Sequence, residues 1–255
     1  MRKHFFLAML LLTAAATATA QTIMKVSKTD KSTIEIPVEE VDSINFIEIP
    51  NRAIDLGLSV LWSSVNIGAE MPEDYGWYLA YGEMAEKPHY SNGFYSLKDS
   101  EGTLLPNYVI SGTELDAATV LWGEGWHMPT LDEAKELMEK CTWQWEKLNN
   151  VNGMRVTGPN GNSIFLPAAG ECSCTHGPNN DPSALANCNG YTPSNPLSAG
   201  VRGDYRLGEL AKWENGNWGI DNNRILSIVG SAPNSGTINS TYRCTGHPIR
   251  PVKTK

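Results

Sequence analysis

Residues 125–170 read GWHMPTLDEAKELMEKCTWQWEKLNNVNGMRVTGPNGNSIFLPAAG, and this stretch decides the fold. The hydroxyl of Thr130 can accept a hydrogen bond at a helix start, and Glu133 can return one, which predicts a capping box. Apolar residues then recur at helical spacing and should face a core: Leu131, Ala134, Leu137, Met138 and Cys141. After the helix, two apolar runs flank Asn160-Gly161, which is typical of a β-hairpin. The stretch therefore predicts a domain that mixes α and β structure.

The first twenty residues have the pattern of an export signal. Arg2 and Lys3 precede a short apolar run, and Ala18-Thr19-Ala20 offers small residues for cleavage before Gln21. The run is too short to cross a bilayer, and no later segment is apolar enough, so no membrane span is predicted. We expect residues 1–20 to be a signal peptide and the protein to act in the periplasm, at the cell surface or outside the cell.

The composition excludes some partners and indicates a kind of core. The formal net charge of −8 becomes −10 once Arg2 and Lys3 leave with the signal peptide. Such an acidic chain, which has no basic run, is not expected to bind nucleic acid. Eight tryptophans, together with 23 glycines and 15 prolines, predict a loop-rich fold whose core is built from large rings.

The five cysteines leave at least one thiol unpaired in an oxidising compartment. Cys141 lies on the apolar face of the helix and is predicted to be a buried thiol. The favoured disulfide joins Cys172 or Cys174 to Cys188, and pairing among these three and Cys244 stays open. Zinc bound by the same loop with His176 is the alternative, but Cys-x-Cys is not a usual zinc spacing, so we predict no metal site.

Two domains are predicted after the signal peptide. Residues 21–50 should form a small β unit with strands at Ile23-Met24 and Ile34 to Val38 and a third extended piece at 42–49. The main domain should cover 53–255. Within it, residues 170–208 lack periodicity and are predicted to be a long loop. Two strands should follow, at 213–220 and 224–229, and Pro248 and Pro251 predict an edge strand near the C-terminus.

Several blocks of the main domain, in a fixed order, carry a resemblance. They include Ile54-Asp55-Leu56-Gly57-Leu58, Asn66-Ile67-Gly68-Ala69, Glu73-Asp74-Tyr75-Gly76, Gly125-Trp126-His127-Met128-Pro129-Thr130, Phe165-Leu166-Pro167-Ala168-Ala169-Gly170 and Ile249-Arg250-Pro251-Val252. This series resembles exported Bacteroidota proteins that carry the Fibrobacter succinogenes major paralogous domain. The resemblance implies an α+β, C-type lectin-like fold with a curled antiparallel sheet, one main helix and long loops, similar to formylglycine-generating enzymes. It implies no known activity.

Sugar recognition needs exposed ring faces beside amides and carboxylates. Trp213, Trp218, Asp221 and Asn223 meet this requirement best and are the predicted ligand-binding residues, although rings packed on a sheet also explain the tryptophans. Asn and Asp runs near 180 and 222 offer oxygen ligands for calcium, but they are also usual turn residues. We therefore predict no cofactor, with calcium as the alternative.

No catalytic residue is predicted. His127, His176 and His247 are not part of a recognisable triad, and Cys244 lacks the close cysteine that formylglycine-generating enzymes use. The sequence favours an exported, non-catalytic binding protein that recognises an extracellular glycan or a surface protein through loops 170–224. Two alternatives stay open. One is a structural component of a surface assembly that pairs strands through residues 21–50. The other is an enzyme related to formylglycine-generating oxidases.

Overall fold

The computed structural model describes residues 22–27, 33–41, 53–173, 192–212 and 216–255. The chain divides into two compact units, with the boundary between Glu48 and Ile49. Over the described ranges the named strands pair antiparallel and α-helices are few, so the fold is α+β. In the same ranges, no helix is both long and apolar enough to cross a bilayer.

The smaller unit contains the predicted strand pair. Strand β1 (Ile23–Ser27) lies antiparallel to β2 (Thr33–Pro37), with Ile23 opposite Pro37. A 3-10 turn, Val38–Glu40, follows β2, and the Val38 amide donates to the Thr22 carbonyl at 2.9 Å. The third predicted piece, 42–49, lies outside the described residues.

The larger unit contains the short helix α1 (Ala117–Trp122) and the predicted helix α2 (Leu131–Lys140). Asp116 caps α1 by accepting from the amides of Ala118 and Thr119. The capping box of α2 is confirmed, since Thr130 accepts from the Glu133 amide and Glu133 accepts from the Thr130 amide. The apolar face of α2 buries Ala134 and Leu137, as its spacing predicts.

The described residues of the larger unit also contain ten strands. In chain order they are β3 (Ala53–Asp55), β4 (Leu61–Ser63), β5 (Trp126–His127), β6 (Thr142–Leu148), β7 (Val151–Thr157), β8 (Ser163–Pro167), β9 (Arg202–Lys212), β10 (Trp218–Val229), β11 (Gly236–Tyr242) and β12 (Val252–Lys253). They form three antiparallel sheets with the orders β3-β4-β12-β5, β6-β7-β8 and β9-β10-β11. The predicted hairpin is β7–β8, whose turn is closed by the Gly161 amide on the Gly158 carbonyl at 3.0 Å.

Large side chains fill the core, as the composition predicts. The main hydrophobic cluster joins α2 to all three sheets and contains Trp62, Leu137, Met154, Leu166, Tyr205 and Leu226. A second cluster surrounds Leu79 and Tyr81, and a third is formed largely by Tyr78, Tyr90 and Tyr95. Aromatic rings therefore supply much of the buried apolar surface that longer helices would supply in another fold.

The predicted loop 170–208 is wrong for residues 202–208, because β9 begins at Arg202. Tyr205 and Leu207 of this strand face the main core, while Asp204 and Arg206 face the other way and are also buried. Because β9 contains these buried charged residues, its sequence has the polar composition that is typical of a loop. Residues 218–220 and 224–229, predicted to lie on two strands, belong to the single strand β10, whereas 213–215 lie outside the described residues.

Trp143 and Trp145 lie on β6, where Trp143 is buried and Trp145 half-buried. One further prediction is corrected. The C-terminal strand β12 is not an edge strand, since it pairs with β4 on one side and β5 on the other. Pro251 precedes this strand, so its missing N–H interrupts no ladder hydrogen bond.

The cysteine predictions are partly overturned. Cys141 is free and half-buried, and burial raises the pKa of its thiol to about 11. Cys172 and Cys244 are free and buried, so the pairing of Cys172 with Cys188 is not formed. Cys174, His176 and Cys188 lie outside the described residues, and with them the other disulfide and the zinc alternative.

Candidate functional site

The sheet β9-β10-β11 has one apolar and one polar face, because side chains alternate along each strand. Leu226 stands opposite Tyr205 on β9 and Ile238 on β11, and this row packs on the main core. One position along, Ser227 stands opposite Asp204, so that row projects from the other face. The alternation therefore directs charged and hydroxyl groups away from the main core and towards the segments that cover the polar face.

The polar face forms a pocket of about 410 Å³, which we call the polar pocket. Its walls come from the three strands and from the segment that follows Gly170. The lining residues are Glu171, Arg202, Asp204, Ile225, Ser227, Asn239, Ser240 and Thr241. Carboxylate, guanidinium, amide and hydroxyl groups thus converge in one cavity.

Arg202 connects the two carboxylates of the polar pocket. Its Nε lies 2.7 Å from Asp204 Oδ2, and one terminal nitrogen lies 3.3 Å from Glu171 Oε1. The Ser227 hydroxyl donates to the other oxygen of Asp204 at 2.6 Å. Asp204 is almost fully buried, whereas about a third of the Arg202 side chain is exposed. The guanidinium can therefore contact a ligand from the position that fixes both carboxylates.

His247 lies behind the carboxylates and is fully buried. Its Nε2 is 2.8 Å from the Thr245 hydroxyl and 3.7 Å from Glu171 Oε2. Its backbone exchanges hydrogen bonds with Leu79, at 3.0 and 3.1 Å, which fixes the backbone of this residue. Burial lowers the pKa of His247 well below its usual value, and Arg206 and Arg202 lower it further. The imidazole is therefore neutral at pH 7.

Burial acts on the carboxylates in the opposite direction. It raises the pKa of Asp204, although Ser227 and Arg202 oppose the shift, and it raises the pKa of Glu171 against the attraction of Arg202. A pocket in which several buried groups have shifted pKa values is a frequent location of function. Chemically, the polar pocket offers acceptors and donors in fixed positions.

The same residues are the metal-ligand candidates within the described ranges. One oxygen or nitrogen each from Glu171, Asp204 and His247 lie within 4.8 Å of one another. However, Arg202 pairs with both carboxylates and supplies the positive charge that a metal ion would bring. A divalent ion would have to displace this guanidinium, so the arrangement fits a metal poorly.

Of the four predicted ligand residues, the two whose side chains the structure describes do not share a surface. Trp213 and the side chain of Trp218 lie outside the described residues. Asp221 is exposed on β10, but Asn223 is fully buried, where its side-chain oxygen accepts a hydrogen bond from Arg206. The β9–β10 register shifts on both sides of Asn223, and such a bulge turns a side chain to a new direction. Asn223 therefore stabilises the fold and cannot reach a ligand.

Glu171, Asp204 and His247 were not predicted as one site, since they lie on segments far apart in the sequence. Only His247 was considered from the sequence, together with His127 and His176, among the four histidines of the mature chain. The one local signal is the charge alternation Arg202, Asp204, Arg206, which a buried polar strand face explains in retrospect. Comparisons of the chain with protein-family models, curated proteins and solved structures found no match.

Proposed function

We propose that this chain is an exported, non-catalytic binding protein with a C-type lectin-like architecture, and that its polar pocket recognises a glycan. The observation that carries the proposal is the convergence of carboxylate, guanidinium, amide and hydroxyl groups in one cavity of about 410 Å³. One main helix, antiparallel sheets and long irregular segments support the architecture, together with the resemblance of the sequence blocks.

The groups of the polar pocket suit the hydroxyls of a sugar. Each hydroxyl both donates and accepts, so neighbouring hydroxyls are best bound by paired acceptors and donors. Glu171 can accept, while Arg202 and the exposed amide of Asn239 can donate. Ile225 adds an apolar surface for C–H groups. The site falls partly within the predicted region 170–224 and partly on β11.

The fixed carboxylates favour binding over catalysis. Asp204 is held by Ser227 and Arg202, and Glu171 is held by Arg202. A general acid or base must reach the reacting atoms, whereas only 2% of the Asp204 side chain is exposed. These carboxylates are suited to orienting the guanidinium towards a bound ligand.

A glycan array probed with the mature protein tests the proposal. We expect binding to at least one glycan class, and a loss of roughly tenfold in affinity for Asn239→Ala with Thr241→Ala, since two hydrogen bonds contribute about 1–2 kcal/mol together. Asn239 is exposed and Thr241 is only half-buried, so the fold should be kept. The matched control is Asn234→Ala, which is also exposed but lies outside the polar pocket and should bind like the wild type.

Two results would contradict the proposal. In the first, the double variant retains full affinity, which would remove the polar pocket from the binding site. In the second, the bound glycan is hydrolysed during the assay, which would make the protein an enzyme.

A further inference from the structure

A second cavity, of about 330 Å³, lies on a different surface of the larger unit. We call it the indole groove. It is lined by Ile67, Gly68, Ala69, Glu70, Trp77, Leu121 and Trp122, none of which belongs to the polar pocket. The groove combines aromatic and aliphatic carbon with a carboxylate and backbone groups.

The ring of Trp77 rests on the backbone at Gly68. A Cβ atom at Gly68 would lie 2.3, 2.4 and 2.5 Å from Trp77 Cδ1, Cγ and Nε1. A point nearly equidistant from three atoms of a five-membered ring lies over its face and not beside its edge. One indole face therefore covers Gly68, where no side chain intervenes, and a side chain there would displace the ring.

The rest of Trp77 is open and its backbone is fixed. The residue is 39% exposed, which is high for a tryptophan in a chain that buries Trp62 and Trp143. Its amide donates to the Ile67 carbonyl at 2.8 Å. The preceding Gly76 has φ +71°, and a Cβ there would lie 2.4 Å from the same carbonyl oxygen. Trp77 is thus a rigid ring with one supported face, and little order is lost when a ligand covers it.

Polar and aliphatic groups surround this ring. Glu70 is exposed, and its amide donates to Asp74 Oδ2 at 3.2 Å, which fixes its backbone. Within the described ranges its carboxylate has no ion-pair partner. Leu121 is 40% exposed and adds C–H surface. The indole groove therefore pairs a flat apolar platform with a free acceptor.

We infer that Trp77 is a stacking platform for a pyranose ring, with Glu70 as the acceptor for its hydroxyls. A pyranose presents a flat C–H face edged by hydroxyls, which matches one ring face beside one carboxylate. A quaternary ammonium group, by contrast, is bound by several ring faces that surround it. The choice of a sugar rests on the proposed function, but the site itself is separate from the polar pocket.

The experiment uses the mature protein labelled with ¹⁵N and follows its indole N–H signals by NMR. The Trp77 signal is assigned by its disappearance in Trp77→Ala. Cellohexaose is the probe, because its equatorial hydroxyls leave flat C–H faces, and choline is titrated separately. We expect cellohexaose to shift the Trp77 signal, with affinity reduced about tenfold in Trp77→Ala and about threefold in Glu70→Gln. The controls Glu114→Gln and Tyr242→Ala, both exposed and outside the groove, should bind normally.

The inference is overturned if cellohexaose leaves the Trp77 signal unchanged, or if choline alone shifts it. It is also overturned if Glu70→Gln and Glu114→Gln bind equally, a comparison that stands even if Trp77→Ala fails to fold. Failure of the proposed function is distinguishable. In that case Asn239→Ala with Thr241→Ala changes nothing, while Trp77→Ala still weakens binding.

Discussion

His247, which lies behind the polar pocket, makes the stability of the folded protein depend on pH. Charged groups face it from three sides: Glu171 and Asp204 in front, Arg202 beside them and Arg206 from β9. The folded protein keeps this imidazole neutral, because burial and the two guanidinium groups lower its pKa well below 6.5. In the unfolded chain the same imidazole has its ordinary pKa and gains a proton near pH 6.5.

The residue-scale prediction follows from the direction of this pKa shift. Below pH 6.5 the unfolded chain binds a proton that the folded chain does not, so acidification costs stability. Between pH 7.5 and 5.0 the wild type should lose up to about 2 kcal/mol more than His247→Gln, measured by urea unfolding. Glu171 and Asp204, whose pKa values are raised, gain stability on acidification in both proteins, so comparison with the variant isolates the histidine. Equal pH slopes for the two proteins would refute it.

Single residues also show which features of the site cannot be predicted from the sequence. Asp221 and Asn223 are two positions apart and would share a face on a regular strand. The register shifts around Asn223 separate them, so one is exposed and the other buried. A bulge depends on the pairing partner, here β9, and that pairing cannot be read from β10 alone. The polar pocket is harder still to predict, because its members meet only after the sheet and the C-terminal segment assemble.

At the scale of elements, the sequence predicts a helix or hairpin whose determining residues are close together in the chain. It does not predict a strand whose burial depends on distant segments. The cap, acidic first turn and apolar face of α2 all lie within residues 130–141, and the helix was predicted with its correct start. The hairpin β7–β8 was predicted for the same reason, since its turn residues are contiguous. Strand β9 was missed because Asp204 and Arg206 are buried under segments from elsewhere in the chain, such as Thr245 and His247.

The hairpin turn gives the element-scale prediction, in which two glycines are needed for different reasons. At Gly158 a Cβ would lie 2.0 Å from the Leu56 carbonyl oxygen, so Gly158→Ala must push two backbone segments apart. At Gly161 nothing lies within 4 Å, and only its φ of +88° opposes a side chain. We expect losses in unfolding free energy of about 3 kcal/mol for Gly158→Ala and roughly 1 kcal/mol for Gly161→Ala. Urea denaturation of both variants checks this, and a larger loss at Gly161 would contradict the close approach.

At the scale of the whole molecule, buried arginines connect segments that are distant in sequence. Arg206, Arg243 and Arg250 are each about 1% exposed or less. Arg206 donates to the Leu79 carbonyl, and Arg243 donates to the Leu105 carbonyl. Arg250 connects two sheets, because it donates to carbonyls of both β4 and β8. Arg250 lies between two prolines, which is typical of a surface segment, so its burial is not predicted by the sequence. Arg250 becomes buried because β12 lies between β4 and β5.

Arg250 closes the larger unit, and its removal is the last prediction. Its guanidinium donates to Asn66 Oδ1 at 2.8 Å, the Ser63 carbonyl at 3.1 Å and the Phe165 carbonyl at 2.9 Å. Arg250→Met keeps the length but leaves three buried acceptors without a donor, so we expect a loss of about 3–5 kcal/mol in urea unfolding. The control Arg155→Met breaks a half-exposed ion pair with Glu146 and should cost under about 1 kcal/mol. If both variants lose the same stability, Arg250 does not hold the sheets together, because the buried acceptors would then have found other donors at no cost.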